Sequence, residues 1–319
     1  MKIAFHMDQI CVRGTSVSTF SYMQYNISLL GNESILIVPI SSVKKNDPLG
    51  VANFASKFSI FVYKDLTDMD RILEEEKCSL LYCIKYGKND GVVSKKVKTV
   101  IHCVFDMTEP HGDVYAGVSS TLAKKFNSTT FVPHMVSLNP SKTKENLREV
   151  LKIPDNAIVF GRFGGEDTFN LPFCWQAIYE LINERKDLYF IFINTPHIIQ
   201  NHPQVLYLNK ITSEEDKNRF ICTCDAHLEC GTLGHTFGIN LSEFSVNNKP
   251  LIVYKSPTLW NTAHLEILGD KGIYFTNKEE FKNILNSFHP ADYRDKDLNC
   301  YRDYTPEKVM AIFKKVFID

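Results

Sequence analysis

Residues 234–243 combine glycines, polar side chains and a carboxylate in a pattern that suits the binding of an anion. Their spacing predicts a helix over 236–248. Four polar side chains would share one accessible face of that helix: Thr236, Asn240, Glu243 and Asn247. Three apolar side chains would face the core: Phe237, Leu241 and Phe244. The free N–H groups and the dipole of such a helix start favour a phosphate, and Gly238 lets the main chain approach it closely.

A second glycine-rich segment follows the apolar run 157–163. Gly164 and Gly165 come directly after Arg162-Phe163. Glycines at the end of a strand let backbone N–H groups surround a diphosphate, and arginine offers a fork of charged donors that matches phosphate oxygens. Such a turn alone is more often only a tight loop. Its place upstream of the predicted helix start favours binding.

The run from Gly234 to Pro250 resembles the donor-site segment of retaining glycosyltransferases with the GT-B fold, in particular the large family-four group. In that family an acidic residue, a Phe-Gly stretch and a second acidic residue eight positions later precede Lys-Pro and a strand. Phe237-Gly238, Glu243 and Lys249-Pro250 fit this order. His235 stands where the first acidic residue is expected.

The resemblance implies a role for each part of the donor site. Glu243 would accept hydrogen bonds from the ribose hydroxyls, and Arg162 would reach the donor diphosphate. The family also has a Lys shortly after the Arg, where this chain has Glu166-Asp167-Thr168. Lys210 is our candidate for the second cation. The predicted donor-binding residues are Arg162, Gly164, Gly165, Lys210, Thr236, Phe237, Gly238 and Glu243.

His235 would lie near the donor sugar and its anomeric carbon if the resemblance holds at this position. An imidazole there could alter the choice of sugar, act as a weaker polar contact, or mark reduced activity. It could equally be a loop residue without a role. These interpretations stay open, and His235 is retained as a catalytic candidate.

The first half of the chain offers candidates for the acceptor side. Gly14 and Thr15 join the first predicted strand to the first helix, where the resembling family has a glycine-rich loop that approaches the donor phosphate and the acceptor. His102, His111 and Asp113 surround a later strand end that would face the cleft. A His or Asp there could position or deprotonate the acceptor hydroxyl. Alternatively, His111 and Asp113 form only a turn with mutual hydrogen bonds.

Short apolar runs alternate with amphipathic segments along the whole chain. The predicted strands cover residues 3–7, 35–40, 58–63, 79–84, 98–105, 130–132, 157–163, 188–194, 205–208, 226–228, 251–254 and 272–275. The predicted helices cover residues 17–30, 65–77, 119–126, 172–185, 213–222, 236–248, 262–268, 278–288 and 306–316. This alternation indicates parallel sheets with helices on both faces, which bind ligands at the carboxyl ends of strands.

The fold class that we expect is therefore α/β, with the GT-B arrangement of two Rossmann-like domains facing each other across a cleft. The polar segment 133–144, or Ile153-Pro154 just beyond it, would form the hinge. We expect an acceptor domain over 1–150 and a donor domain over 151–303. The helix in 304–319 would pack back on the first domain, as it does in GT-B proteins.

Composition excludes several classes of protein. The chain has 319 residues, of which 44% are hydrophobic, and a formal net charge of −1. It is long enough for two cores, and it lacks the basic field that attracts nucleic acid. No apolar stretch is long enough to span a bilayer, whereas peripheral membrane association stays open. Nine cysteines without a framework indicate reduced thiols and a cytoplasmic location.

Metal and hydrolase chemistry are disfavoured. One group of candidate zinc ligands is close in sequence: Cys222, Cys224, His227 and Cys230. Its Cys-x-Cys spacing does not suit tetrahedral coordination, and burial as small apolar residues is favoured. Neither an Asp-x-Asp motif nor a Gly-x-Ser-x-Gly elbow is present. The resemblance implies no cofactor and no metal, with a nucleotide sugar as co-substrate.

The sequence thus predicts a glycosyltransferase that moves a sugar from a nucleotide-diphosphate donor to a carbohydrate hydroxyl, with retention of configuration. Two alternatives stay open. His235 and the missing Lys suit a nucleotide-sugar binding protein with reduced catalysis. A nucleotide-sugar epimerase would have the same architecture.

Overall fold

The computed structural model of the protein describes residues 1–143 and 145–319. Lys144, the last residue of the predicted hinge segment, lies outside the described residues. The chain forms two compact units. Unit 1 comprises Met1–Ser137 together with Asp303–Asp319, and unit 2 comprises Leu138–Arg302.

The boundary between the units falls earlier than the expected one after residue 150, because the segment that follows Ser137 bonds to unit 2. The Leu147 N–H donates to Thr223 Oγ1 at 2.8 Å. Arg148 Nη2 donates to Asp225 Oδ2, also at 2.8 Å. These contacts fasten the residues before the first strand of unit 2 to the segment 223–225 of the same unit.

Unit 1 begins as a parallel α/β sandwich. Its elements are β1 (Lys2–His6), α1 (Gly14–Ser28), β2 (Glu33–Pro39), α2 (Pro48–Ala55), β3 (Ile60–Tyr63), α3 (Leu66–Glu75), β4 (Leu80–Lys85), β5 (Lys98–Cys103), β6 (Val114–Gly117) and α4 (Ser120–Lys125). The strand order is β3-β2-β1-β4-β5-β6, and every pair is parallel. The order changes direction between β1 and β4, which makes that pair the switch point of the sheet.

Unit 2 repeats this design. Its elements are β7 (Ile158–Phe163), α5 (Pro172–Glu184), β8 (Leu188–Ile193), β9 (Val205–Leu208), α6 (Glu214–Thr223), β10 (Ala226–Glu229), β11 (Gly234–His235), α7 (Ile239–Val246), β12 (Leu251–Tyr254), β13 (Asn261–Thr262), α8 (Ala263–Leu268), β14 (Ile273–Phe275) and α9 (Lys278–Asn286). The main sheet has the order β14-β12-β10-β7-β8-β9. Its switch point lies between β7 and β10, while β11 and β13 form a separate short parallel pair.

Apolar runs explain most of these strands. The β4 residues Leu80–Lys85 are all buried, as expected for a parallel strand covered on both faces. Four of these elements were not predicted: α2, β6 and the two-residue strands β11 and β13. The helix α2 starts from an Asp47 cap followed by Pro48, a signal that the sequence does carry. Strand β6 has only four residues, ending in Ala-Gly. The predicted strand 130–132 is reduced to one bridge between Gly117 and Phe131.

The end of the chain completes the core of unit 1. Helix α10 (Pro306–Phe313) continues as an irregular turn through Ile318, so the predicted helix over 306–316 is present. The Phe313 ring is fully buried, with its centroid 5.3 Å from that of Tyr22 and 5.4 Å from that of Tyr82. Residues 303–319 therefore belong to the fold of unit 1.

Replacing Phe313 with alanine should remove this aromatic contact and leave a cavity. We expect the free energy of unfolding to fall by about 3–5 kcal/mol, the usual cost of deleting a buried aromatic ring. Urea denaturation measures it. The exposed neighbour Lys315 provides the control, since Lys315→Ala should leave the transition in place. An unchanged midpoint for Phe313→Ala would show that the C-terminal segment is not part of the core.

Candidate functional site

The switch point of unit 2 brings together residues from three elements. Strands β7 and β10 are parallel neighbours, so their carboxyl ends meet at one edge of the sheet. Helix α7 begins shortly after β10. Asn240 Nδ2, in the first turn of α7, donates to the Phe163 carbonyl oxygen at 3.3 Å and to Glu229 Oε2 at 3.0 Å. One amide thus ties the helix start to the ends of both strands, in the place where open α/β sheets bind ligands.

The predicted helix start at residue 236 is wrong, because Gly238 interrupts it. Gly238 has φ of 91° and caps α7, so Thr236 and Phe237 precede the helix. A Cβ at Gly238 would lie 2.9 Å from Leu241 Cδ1. Tyr301 Oη donates to the Phe237 carbonyl oxygen at 2.8 Å and fixes the approach to the helix. No side chain caps α7, so its N-terminal N–H groups and dipole suit an anion.

The expectation of an accessible polar face on α7 is also wrong. Six consecutive residues of α7 are buried: Asn240, Leu241, Ser242, Glu243, Phe244 and Ser245. Glu243 Oε1 lies 2.6 Å from Lys217 Nζ, while Glu243 Oε2 has no hydrogen-bond partner within the protein. A buried carboxylate with one oxygen left over can accept hydrogen bonds from a polar ligand.

Arg162 is fully buried and supports the glycine loop from beneath. Its Nη1 donates to Thr195 Oγ1 at 2.6 Å, and its Nη2 donates to the Gly165 carbonyl oxygen at 2.9 Å and to Thr168 Oγ1. A Cβ on Gly164 would lie 2.9 Å from Nη2, so this glycine lets the loop close over the guanidinium. Arg162 therefore shapes the loop, and its guanidinium is buried.

Glu229 ends β10 and was missed by the sequence analysis. Its Oε2 lies 3.1 Å from His235 Nε2 and 3.7 Å from His227 Nε2. Burial favours a raised pKa for Glu229, but His235, a hydrogen bond from His227 and the charge of Arg162 hold that pKa well below its usual range. Its place directly after the predicted strand 226–228 was the available signal, since ligands meet parallel sheets there.

A small cavity opens beside this carboxylate. It is lined by Thr168, Asn170, Glu229, Gly231, Thr232, Leu233, Gly234 and His235. Buried polar atoms in proteins are normally satisfied. Among the described residues, several buried atoms without a hydrogen-bond partner in the protein lie on residues of the switch point: Arg162 Nε, His227 Nδ1 and Glu243 Oε2. Their concentration in one place suits a ligand rich in hydroxyl and phosphate groups.

Lys210 does not lie near the switch point of unit 2. It is exposed and follows β9, an edge strand that β8 separates from β7. The spacing of the sheet thus keeps it at least two strands away from Arg162. The geometry provides a different cation, Lys217 on α6, which contacts Glu243.

The structure places two of the acceptor-side candidates in unit 1 differently from the sequence prediction. His102 lies in the core, where its ring nitrogens contact Tyr82 Oη at 2.6 Å and the Val132 carbonyl oxygen at 2.7 Å. Burial lowers the pKa of His102 to about 4. Asp113 Oδ2 accepts from the Thr99 N–H at 2.7 Å, at the amino end of β5. Asp113 therefore lies at the edge of the sheet opposite to the carboxyl ends.

His111 belongs to the same loop as Asp113. Its Nδ1 contacts the Glu109 carbonyl oxygen at 2.7 Å, so the turn is held by backbone contacts instead of the mutual hydrogen bond that was the alternative. Gly14 and Thr15 do lie near the carboxyl end of β1, as the first residues of α1. Gly14 is exposed and Thr15 is partly buried.

The switch point of unit 1 contains a polar cluster that the sequence analysis did not identify. His6 ends β1, and its Nε2 lies 2.9 Å from Tyr63 Oη, while its Nδ1 has no hydrogen-bond partner in the protein. Burial lowers the pKa of His6 to about 3. Lys85 ends β4, is almost fully buried and donates to Asp90 Oδ2 at 2.6 Å. The sequence did carry a signal for this cluster, because each of two adjacent parallel strands ends in a polar residue.

Within residues 1–143 and 145–319, no group of three or more His, Cys, Asp and Glu side chains is arranged to hold a metal ion. Cys224, Cys230 and His227 are buried, whereas Cys222 is partly exposed. In the same described part of the chain, no helix has the length and apolar character needed to cross a membrane.

No family model matches the chain, and no curated protein matches it in sequence. Solved structures match its fold. Anabaena Alr3699/HepE in complex with UDP-glucose has a TM-score of 0.70 at 13% identity, over 99% of this chain and 95% of that one. A glycosyltransferase from Rickettsia africae has a TM-score of 0.68 at 10% identity, over 100% and 99%.

A third similar structure comes from Listeria monocytogenes, for a protein assigned provisionally as a UDP-N-acetylglucosamine 2-epimerase. Its TM-score is 0.59 at 11% identity, over 100% of this chain and 96% of that one. This chain has the GT-B fold. The predicted fold class, with two Rossmann-like units, is confirmed. At these identities the likeness concerns the GT-B fold and not the residues of the site.

Gly238→Ala tests the start of helix α7 in unit 2. The new Cβ must adopt a positive φ and meet Leu241, so we expect the free energy of unfolding to fall by about 2–5 kcal/mol. Gly31→Ala is the matched control, because Gly31 also has positive φ (66°) but no atom within 4 Å. It should cost only about 1–2 kcal/mol. Equal losses in denaturation experiments would show that Leu241 does not restrict Gly238.

Proposed function

We propose that this protein is a glycosyltransferase that moves a sugar from a nucleotide-diphosphate-sugar donor to a hydroxyl of a carbohydrate acceptor. The observation that carries the proposal is Glu243, whose buried Oε2 is left without a partner beside the uncapped start of α7, at the switch point of a GT-B unit. The Anabaena protein bound to UDP-glucose favours a uridine nucleotide as the first donor to test.

The donor would bind at the carboxyl edge of the unit 2 sheet. Glu243 Oε2 accepts hydrogen bonds from the ribose hydroxyls. The diphosphate lies at the start of α7, where Gly238 allows close approach and the helix dipole offsets negative charge as the leaving group departs. Arg162 contributes by holding the 164–168 loop in shape. On this proposal the site needs no metal ion.

The acceptor would bind to unit 1 near the carboxyl end of β1, where Gly14, Thr15 and His6 lie. In the reaction, the bond between the anomeric carbon and the diphosphate oxygen breaks, and the acceptor oxygen bonds to that carbon. The acceptor proton passes to the departing diphosphate, and the nucleoside diphosphate is released. We propose retention of configuration at the anomeric carbon, which NMR of the product would establish directly.

The match to the Listeria protein favours epimerisation of a nucleotide sugar as a second candidate function. The two candidates differ in their need for an acceptor. An epimerase would interconvert two nucleotide sugars in the absence of any acceptor, without net release of nucleoside diphosphate. Chromatography of UDP-sugars incubated with the protein alone therefore distinguishes the two reactions.

Glu243→Gln should weaken donor binding by roughly ten- to a hundredfold, because an amide replaces the charged acceptor of the ribose hydroxyls. Calorimetry with the nucleotide sugar that most raises the melting temperature, chosen from UDP-, GDP- and ADP-sugars, measures this change. If none of these compounds raises the melting temperature, the proposed function fails.

Lys217→Gln is the control for the ion pair, since it removes the charge beside Glu243 but retains a hydrogen-bond donor. We expect Lys217→Gln to lower stability more than donor affinity. If Lys217→Gln weakens donor binding as strongly as Glu243→Gln does, Glu243 acts only through its pairing with Lys217, and the ribose contact is wrong.

A further inference from the structure

Glu229 is a buried carboxylate for which the proposed donor contacts do not account. Its side chain is only 3% exposed, and burying a charge is costly unless partners offset the lost hydration. Asn240 Nδ2 donates to Oε2 at 3.0 Å, and His235 Nε2 lies 3.1 Å from the same oxygen. These contacts place the carboxylate directly behind His235, in the wall of the cavity that both residues line.

The loop between Glu229 and His235 can pass this close to the carboxylate only because residue 231 is a glycine. A Cβ at Gly231 would lie 2.7 Å from the Thr168 carbonyl oxygen and 3.1 Å from Glu229 Oε1. A larger residue would push the loop away from the carboxylate. The cavity therefore has Glu229 and the partly exposed His235 ring as its two ionisable groups.

His235 occupies the position where the resembling family has an acidic residue. A neutral imidazole carries no negative charge, but it has one lone-pair acceptor, and its tautomer depends on the surroundings. Because Nε2 lies 3.1 Å from the carboxylate, the ring proton belongs on Nε2. Nδ1 is then the acceptor that the ring can offer to a ligand.

We propose that Glu229 and His235 together replace the acidic residue of that family. Glu229 holds the imidazole in the tautomer whose Nδ1 accepts a hydrogen bond from a hydroxyl of the donor sugar. His235 thus contacts the substrate, and Glu229 is a positioning residue that acts through it. This inference rests on the proposed function, because the sugar is that of the nucleotide-sugar donor.

The other ionisable groups around the pair come from β7, β10 and α8. Arg162 on β7 and His227 on β10 interact with Glu229, and the His264 ring lies 5.2 Å from that of His235. Burial lowers the pKa of His227 and lowers that of His264 to about 3, so both are neutral near pH 7. Glu229 is therefore the negative charge that acts on His235 from these elements.

In Glu229→Gln, kcat/KM for transfer should fall roughly tenfold or more, because a neutral amide oxygen holds the tautomer of His235 less firmly than the carboxylate does.

Relocating the carboxylate provides the sharper experiment. His235→Glu alone places two carboxylates together and should be poorly active. The double variant Glu229→Gln/His235→Glu moves the charge to the position used by the resembling family, and should be about tenfold or more above His235→Glu. Glutamine at 229 retains the size of the side chain and can accept the Asn240 hydrogen bond. Glu184→Gln, at an exposed carboxylate of α5, is the control and should match the wild type.

NMR of the His235 ring nitrogens in the ligand-free variants reports the tautomer and does not depend on turnover. If Glu229→Gln leaves the tautomer populations of His235 unchanged, the pairing is overturned. A double variant no more active than either single variant overturns the replacement of the family's acidic residue. If the wild-type protein neither binds nor transfers any nucleotide sugar, the proposed function fails, and the sugar contact fails with it.

Discussion

The site in unit 2 depends on the burial of one carboxylate, Glu229, at the carboxyl end of β10. A buried charge persists only when neighbouring groups replace its hydration. Asn240 supplies a hydrogen bond from the start of α7, His235 comes from the loop before it, and Arg162 adds positive charge from β7. Satisfying Glu229 therefore fixes the position of the helix, the loop and the strand relative to one another.

The two units share one strand order, and each concentrates polar residues at the point where that order reverses. In unit 2 these residues leave several polar atoms without partners, which suits a ligand. In unit 1, Lys85 is neutralised by Asp90 and His6 contacts Tyr63. A parallel sheet produces both places by the same geometry, since its strands all end at one edge. The chemistry differs because different residues close the strands.

Much of the fold was predictable, because buried parallel strands are continuous apolar runs and the helices between them are amphipathic. Strands such as β9 and β12 have the predicted boundaries. Strand β6 was missed because its four residues, ending in Ala-Gly, lack an apolar run. The loop before it contains residues that suit catalysis, and these were interpreted as part of a site instead. The start of α7 was placed too early because Gly238 stops the helix through its backbone conformation, which spacing does not reveal.

The sequence by itself determined the α/β class, the two-unit organisation and the segment from Gly234 to Glu243, because helix spacing, glycines and apolar runs are local patterns. Only the tertiary structure decided which side chains meet. It buries Arg162 under the 164–168 loop, places Asp113 at the amino edge of its sheet and puts Glu229 in contact with His235. The physical reason is that strand register and the direction of a buried side chain are set by packing between segments distant in sequence, which no local pattern encodes.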